Sequence, residues 1–294
     1  MGETIHHVNG IAICAAIHGH DDGLPLLLVN GLGGQLVSWD PDMIAAFVDR
    51  GFRVVTFDNR DTGRSTHFDE EVDFFAVLGE VADGDVPEAP YTLSDMAADA
   101  AGLLDALEID AAHVLGISMG GMIVQTMAIE HAAKVRSVTS IMSTTGDPDV
   151  GQPTDEAIVH LLAPAATTED EAVAEALLGE EVWGSPSYPD PEGIAARARR
   201  EWNRVQNPAG VERQLVAVAA SPPRSTALRD VTMPFTVVHG TADTLVTPSG
   251  GARTAQSVPH ATHIEIDGMG HNLPRPLWPE IVDIVERTAS AVNA

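Results

Sequence analysis

Gly116-Ile117-Ser118-Met119-Gly120 is the stretch on which the reading of this chain turns. It matches G-x-S-x-G, the pattern of a sharp strand-to-helix turn that lifts one serine hydroxyl clear of a sheet. The glycines are needed for room, because the backbone folds tightly on both sides of the serine. Five residues are a weak signal until their flanks agree. Here they do agree: His113 to Leu115 leads in as a short apolar run of strand character, and Gly121 to Glu130 leads out as a helix-compatible run.

Working outward, Leu26 to Val29, Arg53 to Phe57, Ser137 to Met142, Phe235 to Val238 and His263 to Ile266 read as further strands. Between the second and the elbow strand, Met96, Ala100, Leu103, Leu104 and Leu107 fall on one helical face, and Thr92 with Asp95 supplies a capping signature. A last helix spans Trp278 to Ala289. Strands separated by helices imply crossover connections and a mainly parallel, twisted sheet covered on both faces. From Thr145 to Asp230 the character changes to Ala- and Glu-rich helical segments, Asp155 to Leu162, Glu169 to Leu178, Gly193 to Val205 and Val211 to Ala219, with no strand among them. The expected division is a core of residues 1–144 and 231–294, with a helical cap, or lid, of 145–230 inserted late in the sheet. The acidic stretch Phe68 to Pro90 reads as loop.

A serine hydroxyl is a poor nucleophile until a base takes its proton. With this kind of elbow the chain order is serine, acid, histidine. Of the twelve histidines, His271 stands out in Gly268-Met269-Gly270-His271, directly after the last strand. His6, His7, His18 and His20 precede any elbow, His113 sits on the elbow's own strand, and His239 ends a strand as a structural residue. Asp243 follows that strand by a short loop and is the candidate acid, with Asp147 as its rival. The acid should hold the second imidazole nitrogen and stabilise the imidazolium. Two backbone N–H groups should face the developing oxyanion. Met119, after the serine, offers one, and Leu32 in Asn30-Gly31-Leu32-Gly33-Gly34 offers the other. That glycine loop has neither a G-K-[ST] ending nor G-x-G-x-x-G spacing, so it is not read as a phosphate cradle.

Composition narrows the partners. The 294 residues carry 43 acidic against 16 basic side chains, a formal net charge of -27, which opposes binding to nucleic acid or to an anionic membrane. The single cysteine, Cys14, lies in the apolar run IAICAAI and reads as a buried thiol. His18 and His20 could share a strand face, but no third ligand has metal-site spacing. The N-terminus shows no basic region followed by a long apolar run, so cytoplasmic residence is the expectation.

Asp58-Asn59-Arg60-Asp61-Thr62-Gly63-Arg64-Ser65, the elbow, the Pro234 to Asp243 stretch and Gly268-Met269-Gly270-His271 together resemble the α/β-hydrolase superfamily. They are most similar to its aclacinomycin methylesterase-like branch, which shares the D-x-R-D-T-G-R-S run and the G-M-G-H-x-L-P ending. The resemblance covers nearly the whole chain and is weakest over Thr145 to Ser221. It implies a cofactor-free serine esterase, acting on a small apolar ester such as the methyl ester of a bulky acid. Ser118-Met119-Gly120-Gly121 also resembles the haloperoxidase-type perhydrolases. The same fold also hosts carbon–carbon bond hydrolases, and it could serve as a non-catalytic ligand sensor. The familiar His-Gly of the oxyanion loop is Asn30-Gly31 here, a change that leaves the amide donor in place. Trp183 and Trp202, the large apolar side chains of the cap, are candidates for lining a substrate pocket. A homo-oligomer stays open.

Overall fold

Asn9 and Gly10 both adopt positive φ, 49° and 80°, which folds the chain into a tight hairpin between β1 (Thr4–Val8) and β2 (Ile11–His18). This antiparallel pair starts an eight-stranded sheet of order β1-β2-β4-β3-β5-β6-β7-β8. The remaining strands are β3 (Leu24–Val29), β4 (Phe52–Phe57), β5 (Ala112–Ile117), β6 (Val135–Ile141), β7 (Phe235–Gly240) and β8 (Thr262–Ile266). They pair in parallel with one another, and β2 meets β4 antiparallel. The computed structural model describes residues 2–85 and 87–293.

The central strands are covered on both faces, which is why they read as continuous apolar runs rather than alternating ones. On one face, Leu27, Val29 and Val114 pack with α3 (Leu93–Ala106) and α4 (Met119–Glu130). On the other, Leu26, Leu28 and Leu115 pack with α1 (Pro41–Asp49) and α10 (Trp278–Ser290). The Thr92/Asp95 pair caps α3 as read, with the Thr92 N–H donating to Asp95 Oδ2 at 2.8 Å. His113, on β5, is buried and hydrogen-bonds Ser137 Oγ at 2.8 Å. Cys14 is buried, and that burial, with Asp58 nearby, pushes its thiol up to about 12.

One expectation needs correction. The stretch read as loop between Phe68 and Pro90 contains α2 (Phe74–Asp83). Its helix rests on its ends: the Asp73 carboxylate accepts from the Ala76 N–H, and Gly84 closes it at φ 86°. Phe74, Val77, Leu78 and Val81 recur at helical spacing and Val77 is buried, but Phe75 is 69% exposed and the surrounding acidic residues made the stretch read as loop.

Between β6 and β7 the chain makes α5 (Asp155–Leu161), α6 (Glu169–Trp183), α7 (Pro191–Trp202) and α8 (Pro208–Ala220), with no strand among them. Thr154, Thr168, Asp190 and Asn207 cap them in turn, each side chain accepting a backbone N–H. Buried ion pairs fasten this block to the sheet. Arg204 reaches Asp58 at 2.6 Å and Glu3 at 3.0 Å, and Arg213 grips both oxygens of Asp61 at 2.9 Å. The Tyr91 hydroxyl donates to the same Asp61 at 2.6 Å. Removing one member of such a pair strands a buried charge, at a cost of about 3–5 kcal/mol. A helix α9 (Ser249–Ser257) follows β7. No described helix is long and apolar enough to cross a membrane.

Candidate active site

The turn after β5 is as tight as its glycines suggest. Ser118 sits at φ 54°, ψ -121°, a backbone conformation that few side-chain-bearing residues adopt. A β-carbon on Gly116 would run into the Gly120 carbonyl, and one on Gly120 would run into the Val29 carbonyl. The Ser118 N–H donates to Ile141 O at 3.0 Å, tying the elbow to β6. The serine itself is half-buried at the carboxyl end of the parallel strands.

His271 and Asp243 meet it there. His271 Nε2 lies 2.9 Å from Ser118 Oγ, and its Nδ1 lies 2.7 Å from Asp243 Oδ2. The ionised carboxylate accepts from Nδ1–H, which leaves Nε2 as the acceptor for the serine hydroxyl. Asp243 Oδ1 accepts from the Leu245 and Val246 N–H groups, each at 2.9 Å. Burial works against its charge, but the imidazoles of His271 and His239 outweigh it and hold the carboxyl at about 2. The three residues, far apart in sequence, thus form one directed chain of hydrogen bonds. Such a chain can draw the Ser118 proton onto His271 as Oγ attacks a carbonyl carbon.

His239 is more involved than its sequence context showed. It is fully buried beside the carboxylate, with Nε2 2.7 Å from Val246 O and 3.3 Å from Asp243 Oδ2. Asp147 stands elsewhere: its partners are Thr145, Ser225 and Arg253. Together they outweigh its burial and hold its carboxyl below the usual range.

The Asn30–Gly34 loop lies against the serine, so that a β-carbon on Gly31 would come within 3.1 Å of Ser118 Cβ. Gly34 N–H donates to Gly31 O at 3.2 Å, closing a turn with Leu32 at its corner. Gly33 follows at φ 66°, the left-handed value a type II turn asks of its third residue. Neither the Leu32 nor the Met119 N–H has an acceptor among the described residues. Asn30 braces the loop, donating from Nδ2 to Gln35 O at 2.8 Å.

Helix α6 ends against the loops that carry the acid and the base. His271 N–H donates to Trp183 O at 2.6 Å, Gly270 N–H to Ser185 Oγ at 2.8 Å, and Asn272 Nδ2 to Glu180 Oε2 at 2.7 Å. Thr244, beside Asp243, donates to Val182 O at 2.8 Å. The Trp183 ring packs on His160, with centroids 4.7 Å apart, so what it gives this loop is its backbone oxygen. Trp202 lines an open recess of about 290 Å³ whose walls mix Ala172, Ala198 and Val211 with Asp61, Glu175 and Glu201; Gly33 borders it, but Ser118, His271 and Asp243 do not. Among the described residues, no three histidine, cysteine or acidic side chains gather as a metal site.

This arrangement can be set beside known proteins. The chain is 27% identical over 274 residues to the rhodomycin D methylesterase DnrP of Streptomyces peucetius, covering 85% of each chain. It is 27% identical over 271 residues to BpoC of Mycobacterium tuberculosis, named as a non-heme bromoperoxidase, covering 85% of this chain and 87% of that one. The enol-lactonase from Burkholderia xenovorans superposes with a TM-score of 0.71 at 25% identity, covering 98% of this chain and 99% of that one. The family model for the alpha/beta hydrolase fold matches residues 25–274. With its mostly parallel eight-stranded sheet and its serine at the turn after β5, the chain belongs to the alpha/beta hydrolase fold family.

Proposed function

We propose that this hydrolase is a serine esterase that cleaves carboxylic esters through an acyl-enzyme on Ser118. The observation that carries the reading is the chain Ser118 Oγ, His271 Nε2, His271 Nδ1, Asp243 Oδ2, with links of 2.9 and 2.7 Å. Ser118 Oγ attacks the ester carbonyl while His271 takes its proton. The carbonyl oxygen becomes an oxyanion facing the free Leu32 and Met119 amides. As the tetrahedral centre collapses, His271 returns the proton to the departing alkoxide, and the acyl group stays on Ser118. Water, deprotonated by His271, then attacks the acyl carbon and releases the acid, restoring the serine. Asp243 keeps the imidazole in the tautomer that this sequence needs and stabilises its cation. No step requires a cofactor.

Two relatives carry methylesterase names, and they favour the methyl ester of a bulky apolar acid as substrate. The α5–α8 block acts as a cap over the site, its helices α6 and α8 holding the loops that carry His271 and Leu32. The net charge of -27 favours neutral substrates over anionic ones. Peroxide attacking the same acyl-enzyme in place of water would make a perhydrolase, a reading favoured by the bromoperoxidase name of one relative.

The test is turnover of a panel of p-nitrophenyl and methyl esters, with and without peroxide, by the wild type and by Ser118→Ala. Rate should fall by several orders of magnitude in the variant. Retention of more than about a tenth of wild-type turnover would remove Ser118 from the mechanism.

A further inference from the structure

The face that α8 buries carries Gly210, Arg213, Gln214, Val216 and Ala217. Two long polar side chains on the inner face of a helix are costly unless every polar atom finds a partner. Arg213 has Asp61. Gln214 is 0% exposed, and both ends of its amide are used: Oε1 accepts from the Gly33 N–H at 2.9 Å, and Nε2 donates to Arg60 O at 2.8 Å. Gly33 is the residue after Leu32 in the turn that lies against Ser118. A helix of the inserted block therefore holds the loop whose amide faces the reacting oxygen.

We propose that Gln214 is a positioning residue for the oxyanion-binding loop, so that the cap completes that part of the active site as well as covering it. This rests on the esterase reading above. The middle peptide of a tight turn can flip between its two usual orientations. Gln214 accepts from the N–H of that peptide and fixes its direction, and so the turn that presents the Leu32 N–H stays in one form. Its other end is fixed to Arg60, between Asp58 and Asp61, the two carboxylates that Arg204 and Arg213 hold. Gln35 Nε2, at the far end of the loop, donates to Glu201 O at 3.1 Å and Val205 O at 2.9 Å, a second hold from α7 and the segment that follows it. The loop needs such support, because Gly31, Gly33 and Gly34 leave it the most freedom to rearrange. An oxyanion donor works only if its place is set before charge develops.

The test compares Gln214→Leu, Gln214→Glu and Val216→Ala in ester hydrolysis and in the second-order rate at which an alkyl fluorophosphonate labels Ser118. Loss of a whole oxyanion donor costs roughly a hundredfold or more in kcat, and loss of its support should cost about ten- to a hundredfold. Gln214→Leu should show that loss in kcat and in labelling, with KM within about threefold and the shape of the pH profile unchanged. Gln214→Glu keeps an acceptor for Gly33 and, protonated by its burial, a donor for Arg60; it should recover most of the rate. Val216→Ala loosens the same buried helix face without touching the loop, and should lower thermal stability while labelling at the wild-type rate. If Gln214→Leu does not fold, Gln214→Asn, whose amide stops one methylene short of Gly33, should show the loss in its place. Wild-type labelling in Gln214→Leu, or in Gln214→Asn where that stands in for it, or equal losses in Gln214→Leu and Val216→Ala, would overturn the proposal. A wild type that neither hydrolyses esters nor takes the phosphonate would instead overturn the esterase reading on which it rests.

Discussion

The backbone N–H of His271 donates to the carbonyl oxygen of Trp183 at 2.6 Å, so the loop that presents the imidazole is hydrogen-bonded to the last turn of α6. The approach is close enough that a β-carbon on the neighbouring Gly270 would collide with the Gly184 and Trp183 carbonyls. Gly270→Ala should therefore push the loop off the helix and move the imidazole away from Ser118. A loss of at least about tenfold in kcat/KM is expected, since small displacements at a reacting centre are costly. Full activity in this variant would show that the loop finds its place without the helix.

Asp243→Asn should lose about four orders of magnitude in kcat, because an amide in place of the carboxylate favours the wrong imidazole tautomer. Asp147→Asn should stay within a few-fold of wild type and show its effect in thermal stability, through Arg253, Thr145 and Ser225. Steady-state kinetics of the two variants side by side decide this, and comparable losses would refute the assignment of the acid.

The pH profile should carry one acid limb, belonging to an imidazole. His271 must be neutral to accept from Ser118, so the rate rises with pH as a histidine loses its proton. Asp243, held at about 2, stays ionised throughout the working range and adds no second limb. Its lowered pKa contributes stability that is present above the ordinary carboxylate value of 3.8 and is lost as pH falls through about 2. A rate profile with a carboxylate step near 4 to 5, the ordinary range, would contradict this electrostatic picture.

His113 makes a separate prediction about stability. Burial lowers its pKa from 6.5 to about 4. Between those values the unfolded chain takes up a proton that the folded one refuses, so stability should fall as pH drops through this window. His113→Asn should flatten that part of the curve in denaturant titrations at several pH values, with a pH-dependent component on the order of 3 kcal/mol removed. An unchanged slope would mean that the ring is protonated in place.

A phosphonate carrying a bulky apolar group, once attached to Ser118, should touch residues of the α5–α8 block, and a crystal structure of the adduct would show it. An adduct whose group reached no residue between 145 and 230 would deny the cap its role in selection.

That Ser118, His271 and Asp243 would come together was legible because each sits in a short glycine-marked turn at the end of an apolar run, and chain order did the rest. The six strands β3 to β8 were legible from their short apolar runs, the central ones without alternation, whereas the antiparallel hairpin of β1 and β2 was not read as strands. What the sequence hid depends on partners remote in the chain. Gln214 lies 181 residues from Gly33, Arg213 lies 152 from Asp61, and neither pairing leaves a period or a spacing to read. Trp183 stands out in the sequence for its ring, while the structure uses its carbonyl, a group every residue has. His239 reads as the end of a strand, and that position is what brings it under Asp243. Helix α2 escaped although Phe74, Val77, Leu78 and Val81 recur at helical spacing, because that short stripe is set in an acidic stretch and its ends, Asp73 and Gly84, were not read as caps.

The fastening of the inserted helices bears on how such a chain can be re-engineered or can diversify. A block of helices joined to the sheet by two strand ends looks like an exchangeable cassette. Here Arg204, Arg213 and Gln214 reach into loops before β5, while the end of α6 holds the loops after β7 and β8. A graft from a relative would have to bring Asp58, Asp61 and the Asn30–Gly34 turn with it, or find replacements for them. New substrate preferences should therefore come more readily from single side-chain changes within these helices than from transplanting whole helices.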